Sequence, residues 1–465
     1  MSRLLFIAVV MAVTLVATLP EADAATWKAG AAKVKITPKE FMWMSGYGGR
    51  NKPAEGKLTE LWAAALVLED PEGNRVALVT LDLVGIDRAM SVAIRRDLES
   101  KYGLTTRQVA ICCSHTHTGP VVGTNLKTMY ALSDRQWKQV ESYTETVKRQ
   151  VVEVVGQAVK ELAPAEISWG VGQATFATNR RTNREAEVPK LREEGKLQGP
   201  FDHDVPVLKV AGPDGKARAI VFGYACHATV LSFYQWSGDY PGFAQIEIEK
   251  AHPGAVALFW AGCGGDQNPL PRRQVELAQE YGRRLAAAVG KVTAGEMRPI
   301  SGTLATAYKE IDLGFAALPS REEIEANAKS ANRFEAGRAK VLLERIAADG
   351  KLRTTYPYPI QVWRLGDGPR WITLGGEVVV DYSLRLKSEL GGDADANRGR
   401  VWVAGYANDV MAYIPSRRVL REGGYEGGTS MVYYGLPTVW SPDVERDIVR
   451  TVLELARTLN TKPSR

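Results

Sequence analysis

Cysteine and histidine are both scarce in this chain, at four and five among 465 residues. Four cysteines are too few for a disulfide scaffold. Cys112 and Cys113 are adjacent, and all four, with Cys226 and Cys263, sit inside apolar runs. Buried free thiols are the expected state, with a Cys226–Cys263 bridge as the alternative. An excess of one charge is also lacking: 59 Lys and Arg against 53 Asp and Glu leave +6 over the whole length. That excludes the basic footprint of a nucleic-acid binder. Past residue 24 no apolar run reaches the length of a membrane span, and there is no repeat, low-complexity tract or linker. What remains, 45% hydrophobic and 24% charged, is the ordinary globular mix with length enough for a large core.

The N-terminus carries a secretory pattern. Arg3 is followed by an apolar stretch at 4–19 (LLFIAVVMAVTLVATL) and by Ala22-Asp23-Ala24, an A-x-A cleavage site, with no lipobox cysteine. Residues 1–24 are therefore read as a signal peptide cleaved near Ala24. The mature chain is expected to be exported, periplasmic or secreted, without an integral membrane segment.

Buried strands are expected at 75–83 (RVALVTLDL), 108–114 (QVAICCS), 219–226 (AIVFGYAC) and 255–261 (AVALFWA), and later at 361–365, 371–374 and 400–404. Asp87 can cap a helix whose apolar face is Met90, Ile94, Leu98 and Tyr102 and which Gly103 stops, giving a β-α-β unit. Ser133 opens a long helix. The Ser320-Arg321-Glu322-Glu323 capping box predicts a charged helix running to Ala348. The fold class is α/β, with mixed, largely parallel sheets flanked by helices.

Polar clusters follow three of these strands, where ligand sites of parallel α/β sheets lie. Ser114-His115-Thr116-His117-Thr118-Gly119-Pro120 is the strongest. In extended backbone His115 and His117 share a face, which suits one metal ligand plus an acid–base group, two ligands, or a hydrogen-bonded structural pair. Cys113 has the same parity and is a rival thiolate ligand. His227 ends another strand, and Gly265-Asp266-Gln267-Asn268 ends a third with no lysine of a phosphate loop. His203 and His252 read as structural.

In order along the mature chain, these motifs resemble the neutral/alkaline non-lysosomal ceramidase family, zinc-dependent amidases of sphingolipids. The carriers are Met44-Ser45-Gly46-Tyr47, the Ser114–Pro120 motif, Asn179-Arg180, Cys226-His227, Gly265-Asp266, Gly376-Glu377 and Tyr425-Glu426-Gly427-Gly428-Thr429-Ser430. The resemblance implies a zinc ion (Zn2+) held by His115, His227, Glu377 and Tyr413. Tyr413 is preferred to Tyr406 for its spacing from Tyr425. It further implies that His117 lies beside the metal as acid–base group, and that Arg180 and Tyr425 face the reacting carbonyl. A small-molecule or lipid amide, with N-acylsphingosine (ceramide) foremost, is the implied substrate. Two departures stand out. Asn268 occupies the position of a family serine, so it can orient substrate but cannot attack it. The chain is also read as a single catalytic domain at 25–465, without the family's C-terminal immunoglobulin-like domain. A zinc hydrolase of another amide or an ester, and a metal-containing binding protein without turnover, are the rival readings.

Overall fold

The computed structural model describes residues 26–391 and 399–459, so the expected signal segment at 1–24 lies outside the described residues. Among these residues no helix is long and apolar enough to cross a membrane.

Three larger sheets organise the chain. The first runs Val109–Cys113, Arg75–Leu81, Trp62–Glu69, Lys28–Lys35, Ala163–Pro164. The second runs Val256–Ala261, Ala217–Tyr224, Asp204–Ala211, Glu166–Gln173, Arg298–Pro299. The third runs Leu304–Gly314, Thr355–Leu365, Arg370–Leu374, Val401–Ala404. In each, one edge pair is parallel and the other pairs are antiparallel. The sheets are thus mixed, as expected, but not largely parallel.

The connections explain why. Each parallel pair is joined by a crossover helix: Arg88–Tyr102, Asp239–Ala251 and Val380–Gly391 respectively. Short turns, such as those at 70–74, 212–216 and 366–369, join antiparallel neighbours and leave no length for a crossover.

Alternation along the strands builds two cores. Leu78, Ala110, Val221, Leu258 and Trp371 face a layer made from the three sheets without helix residues. Their neighbours Val79, Ile111, Phe222, Phe259 and Ile372 face the helices. Tryptophans fill the inter-sheet layer, Trp371 lying 5.4, 5.8 and 6.0 Å from the rings of Trp260, Trp402 and Trp363.

The helix ends follow local chemistry. The Asp87 side chain accepts from the Met90 amide, and Gly103 closes the helix at φ 70°, a left-handed turn suited to glycine. Ser133 and Gln136 form a capping box for the helix Asp134–Lys160. The single helix expected from Ser320 to Ala348 is instead two, Arg321–Asn327 and Arg333–Asp349. Asn332 breaks it: its side chain accepts from the Phe334 amide and caps the second helix, while Ser330 Oγ accepts from the Asn332 amide.

Candidate metal centre

The carboxyl ends of the three parallel edge pairs converge. Backbone bridges from Cys112 to Ala407 and from Gly262 to Ala404 draw the edge strands of all three sheets together. Past those ends come His115 and His117, His227, the 262–268 turn, Glu377, and the segment carrying Tyr406 and Tyr413. These are the segments on which the sequence reading put its polar clusters.

His115, His117 and His227 are buried, with ring nitrogens all within 4.8 Å of one another. His117 Nε2 is 3.1 Å from His115 Nε2. Glu377 Oε2 lies 3.2 Å from His115 Nε2 and 3.1 Å from His227 Nε2. The Tyr413 hydroxyl is also 3.1 Å from His227 Nε2.

The opposite ring nitrogens decide what this cluster can hold. His115 Nδ1 is 2.5 Å from the Val84 carbonyl and His227 Nδ1 is 2.6 Å from the Gly264 carbonyl. A carbonyl only accepts, so both Nδ1 atoms carry the proton and both Nε2 atoms turn lone pairs inward. This is the orientation that metal-binding imidazoles take. Burial, with Arg180 next, lowers His227 to about 4, and burial with the neighbouring His115 pushes His117 well below its ordinary value. Burial opposes ionisation of Glu377, and positive charge on the His115 and His227 side outweighs it and holds the carboxyl well below the usual range; with both Nε2 atoms unprotonated, a bound cation would supply that charge. Imidazole Nε2 atoms, a carboxylate and a phenol form a nitrogen and oxygen donor set that fits zinc.

Local backbone makes this approach possible in an unexpected way. His115 is not extended but left-handed, at φ 60°. The two histidines therefore meet through a turn that a strained residue sets, not through β alternation. Gly46 gives the His117 ring its place: at φ +92°, any Cβ there would come within 2.4 Å of the ring carbon Cγ. Arg50 pins the same loop, donating to the His117 carbonyl at 2.8 Å and to the Ser45 carbonyl.

Arg180 is anchored on every side. Its Nε donates to Glu426 at 2.7 Å, Nη1 to Asn268 Oδ1 at 3.2 Å, and Nη2 to the Gly265 carbonyl at 2.9 Å and the Tyr413 hydroxyl at 3.1 Å. Asp266 braces this corner from beneath. It accepts from the Val380 amide at 2.8 Å and from Asn179 at 3.0 Å, and burial raises its carboxyl to about 6. Tyr425 opens a π-helical turn, Tyr425–Thr429, and its ring lies 5.2 Å from that of Tyr413.

His117, Arg180, His227, Asn268, Tyr413 and Tyr425 all line one cavity of about 540 Å³. His115 and Glu377 sit behind it, at 1% and 4% exposure. Tyr406 is near without facing the donors: its ring packs on His115 at 4.2 Å and its hydroxyl is 3.4 Å from His227 Nδ1.

Two contributors were invisible in the sequence: Tyr434 donates to Glu377 Oε1, and Arg50 pins the His117 loop. Gly46, in a motif already singled out, gives that loop its room. Only the Tyr433-Tyr434 pair just beyond the Tyr425 motif could have drawn attention. All four cysteines are free and buried, so Cys226 and Cys263 are not bridged. Cys113 stays in the helix-side core, its thiol pushed up by burial, and takes no part in the cluster. His203 bonds the Ala177 carbonyl at 2.9 Å and His252 ends a helix, both structural positions.

Comparison with known proteins bears on the whole arrangement. The family model for neutral/alkaline non-lysosomal ceramidase, N-terminal, matches residues 27–311. Neutral ceramidase 2 of Arabidopsis thaliana is 35% identical over 253 residues, 52% of this chain and 31% of that protein. The neutral ceramidase of Drosophila pseudoobscura pseudoobscura is 27% identical over 263 residues, 53% of this chain and 36% of that protein. The matched stretch thus spans about a third of these relatives' length. The solved structure of neutral ceramidase from Pseudomonas aeruginosa has a TM-score of 0.71 at 20% identity, covering 95% of this chain and 76% of that one, and shares the fold. Since the family model takes in well over half of the residues, the chain belongs to the neutral/alkaline non-lysosomal ceramidase family.

Proposed function

We propose that this protein is an exported, zinc-dependent hydrolase that cleaves an amide bond. The observation that carries the reading is the convergence of the His115 and His227 Nε2 lone pairs on the carboxylate of Glu377 and the hydroxyl of Tyr413. A zinc ion there supplies Lewis acidity, polarising a carbonyl and bringing the pKa of water to about 7.

The chain's own groups do the rest. His117 is neutral, faces the cluster through Nε2, and has an Nδ1 with no hydrogen-bond partner among the described residues. It takes the proton from the attacking water and returns it to the departing amine. Arg180, fixed by four acceptors, and Tyr425 supply donors to the oxyanion that forms at the carbonyl. Asn268 accepts from Arg180 through Oδ1, which leaves its amide N–H groups for the substrate. Because Asn268 is not a nucleophile, attack comes from water and no acyl-enzyme forms at this position.

The relatives are named ceramidases, which makes N-acylsphingosine the reference substrate. The second reading, a different amide or an ester, is favoured by Asn268 itself. Metal analysis with an amidase assay is the test. One zinc per chain and loss of turnover on chelation are expected. Metal-free protein with full activity, or turnover indifferent to His117→Ala, overturns the proposal.

A further inference from the structure

A second cavity, of about 280 Å³, shares no lining residue with the metal cavity. Phe315, Leu352, Tyr356 and Leu436 give it apolar walls. Phe315 is held by stacking on Trp440 at 4.8 Å. The Tyr356 hydroxyl is taken up by Asp409 at 2.8 Å, so the ring is what it offers a ligand. Four cations and one carboxylate also line this cavity: Arg88, Arg345, Lys351, Arg353 and Asp349. Arg88 is paired with Glu310 at 2.7 Å. Arg345 donates to the Gly435 carbonyl at 2.8 Å. Among the described residues neither it, Lys351 nor Arg353 meets a carboxylate within ion-pair distance. Burial pushes the Arg345 guanidinium below its ordinary value and the like charge of Arg353 adds to this, while Tyr356, Asp349 and Glu344 act the other way.

The rim stands at the end of the helix Arg333–Asp349, and helix ends attract cations. Such an end carries only about half a unit of negative charge, so with Asp349 the negative side reaches about one and a half units against three cations. A cleft lined by one sign of charge concentrates the opposite sign. A guanidinium pairs a carboxylate through two parallel N–H groups, and the walls beside it remove methylenes from water. We infer that this pocket binds an alkyl carboxylate, its head between Arg345, Lys351 and Arg353 and its chain along Phe315, Leu352 and Leu436. The inference goes beyond the hydrolase reading and does not depend on it. The acyl product of an amide cleavage is one member of the class.

Calorimetry on the purified, metal-containing protein tests it, with butanoate, hexanoate, octanoate and octanol as probes. Affinity is expected to rise from butanoate to octanoate by up to about four-fold per methylene, and to fall as salt is raised. Octanol should bind at least about ten-fold more weakly than octanoate. The double variant Lys351→Ala/Arg353→Ala should weaken octanoate by about ten-fold, while octanol binding, metal content and melting temperature stay as they were. Lys351→Arg/Arg353→Lys, which keeps both charges, should bind octanoate like the parent. Octanoate binding that is indifferent to the alanine variant, or that disappears when the metal is stripped, puts the carboxylate at the metal centre and overturns the inference. Equal binding of octanol, or no gain with chain length, overturns it as well. None of these results bears on amide turnover, so this inference and the hydrolase reading fail separately.

Discussion

The parallel edge pairs and the antiparallel body of the same three sheets serve different ends. Three of the antiparallel pairs are tied by turns of a few residues, at 70–74, 212–216 and 366–369, and the side chains of these strands serve the cores. The parallel pairs are tied through helices, and the segments leaving their carboxyl ends are long enough to turn inward. Those segments carry His115, His227, Glu377 and Tyr413, and every one of them is buried. The donor groups are thus hung on the seam where three sheets meet, while most of the apolar burial lies elsewhere. Loss of metal and loss of fold should therefore be separable.

The largest expected effect breaks the seam. His227→Ala removes one inward lone pair and leaves Glu377 and Tyr413 without their shared partner. Zinc content should fall to background, a loss beyond the roughly 10–100-fold of an outer-shell change. Metal analysis with circular dichroism checks it: retained zinc would place the ion elsewhere. The counterpart in the antiparallel body is Trp363→Ala, which empties a fully buried site beside Trp371. It should cost about 3–5 kcal/mol in denaturant unfolding, yet the folded protein should keep its metal. Zinc lost from folded Trp363→Ala would show that the two regions are not separable.

Between these lies Tyr434→Phe. Removing its hydroxyl leaves Glu377 Oε1 without its hydrogen-bond donor while sparing the residues around the metal. Metal affinity should drop about 10–100-fold, with little change in melting temperature of the metal-free chain. Titration with a competing chelator reads this directly, and an unchanged affinity would make the Tyr434 contact incidental.

How far the sequence could be read follows the range of each interaction. Strands such as Val109–Cys113 and Val256–Ala261 were legible because a continuous apolar run is a local signal. So were the caps Asp87, Ser133 and Gly103, whose hydrogen bonds span three or four residues. The break at Asn332 was not, since the charge pattern on either side continues unchanged. The histidine motif stood out, but the cause of its geometry was misread: alternation was expected, and a left-handed His115 does the work. Pairing direction was overextended from one β-α-β unit to whole sheets. Tyr434 and Arg50 meet partners 57 and 67 positions away, and no short pattern encodes such contacts.

The smallest expected effect lies on the third sheet's parallel edge, in the segment that leads to Tyr413. Asp409 is buried, accepts from the Tyr356 hydroxyl at 2.8 Å through Oδ2, and leaves Oδ1 without a partner among the described residues. Burial raises its carboxyl from 3.8 to about 8. The folded state therefore binds this proton more tightly than the unfolded chain. Its contribution to stability is complete below about pH 4 and is lost as pH rises towards 8. Asp409→Asn holds the site neutral throughout. Asp82, Asp239 and Asp266 are also raised, but they titrate in both proteins and cancel in the difference. The variant should match the parent near pH 4 and gain on it steadily up to pH 8, measured by urea unfolding of the metal-free chain. A gap independent of pH would mean that Asp409 keeps an ordinary pKa, and that this edge is no more desolvated than the antiparallel strands it is set against.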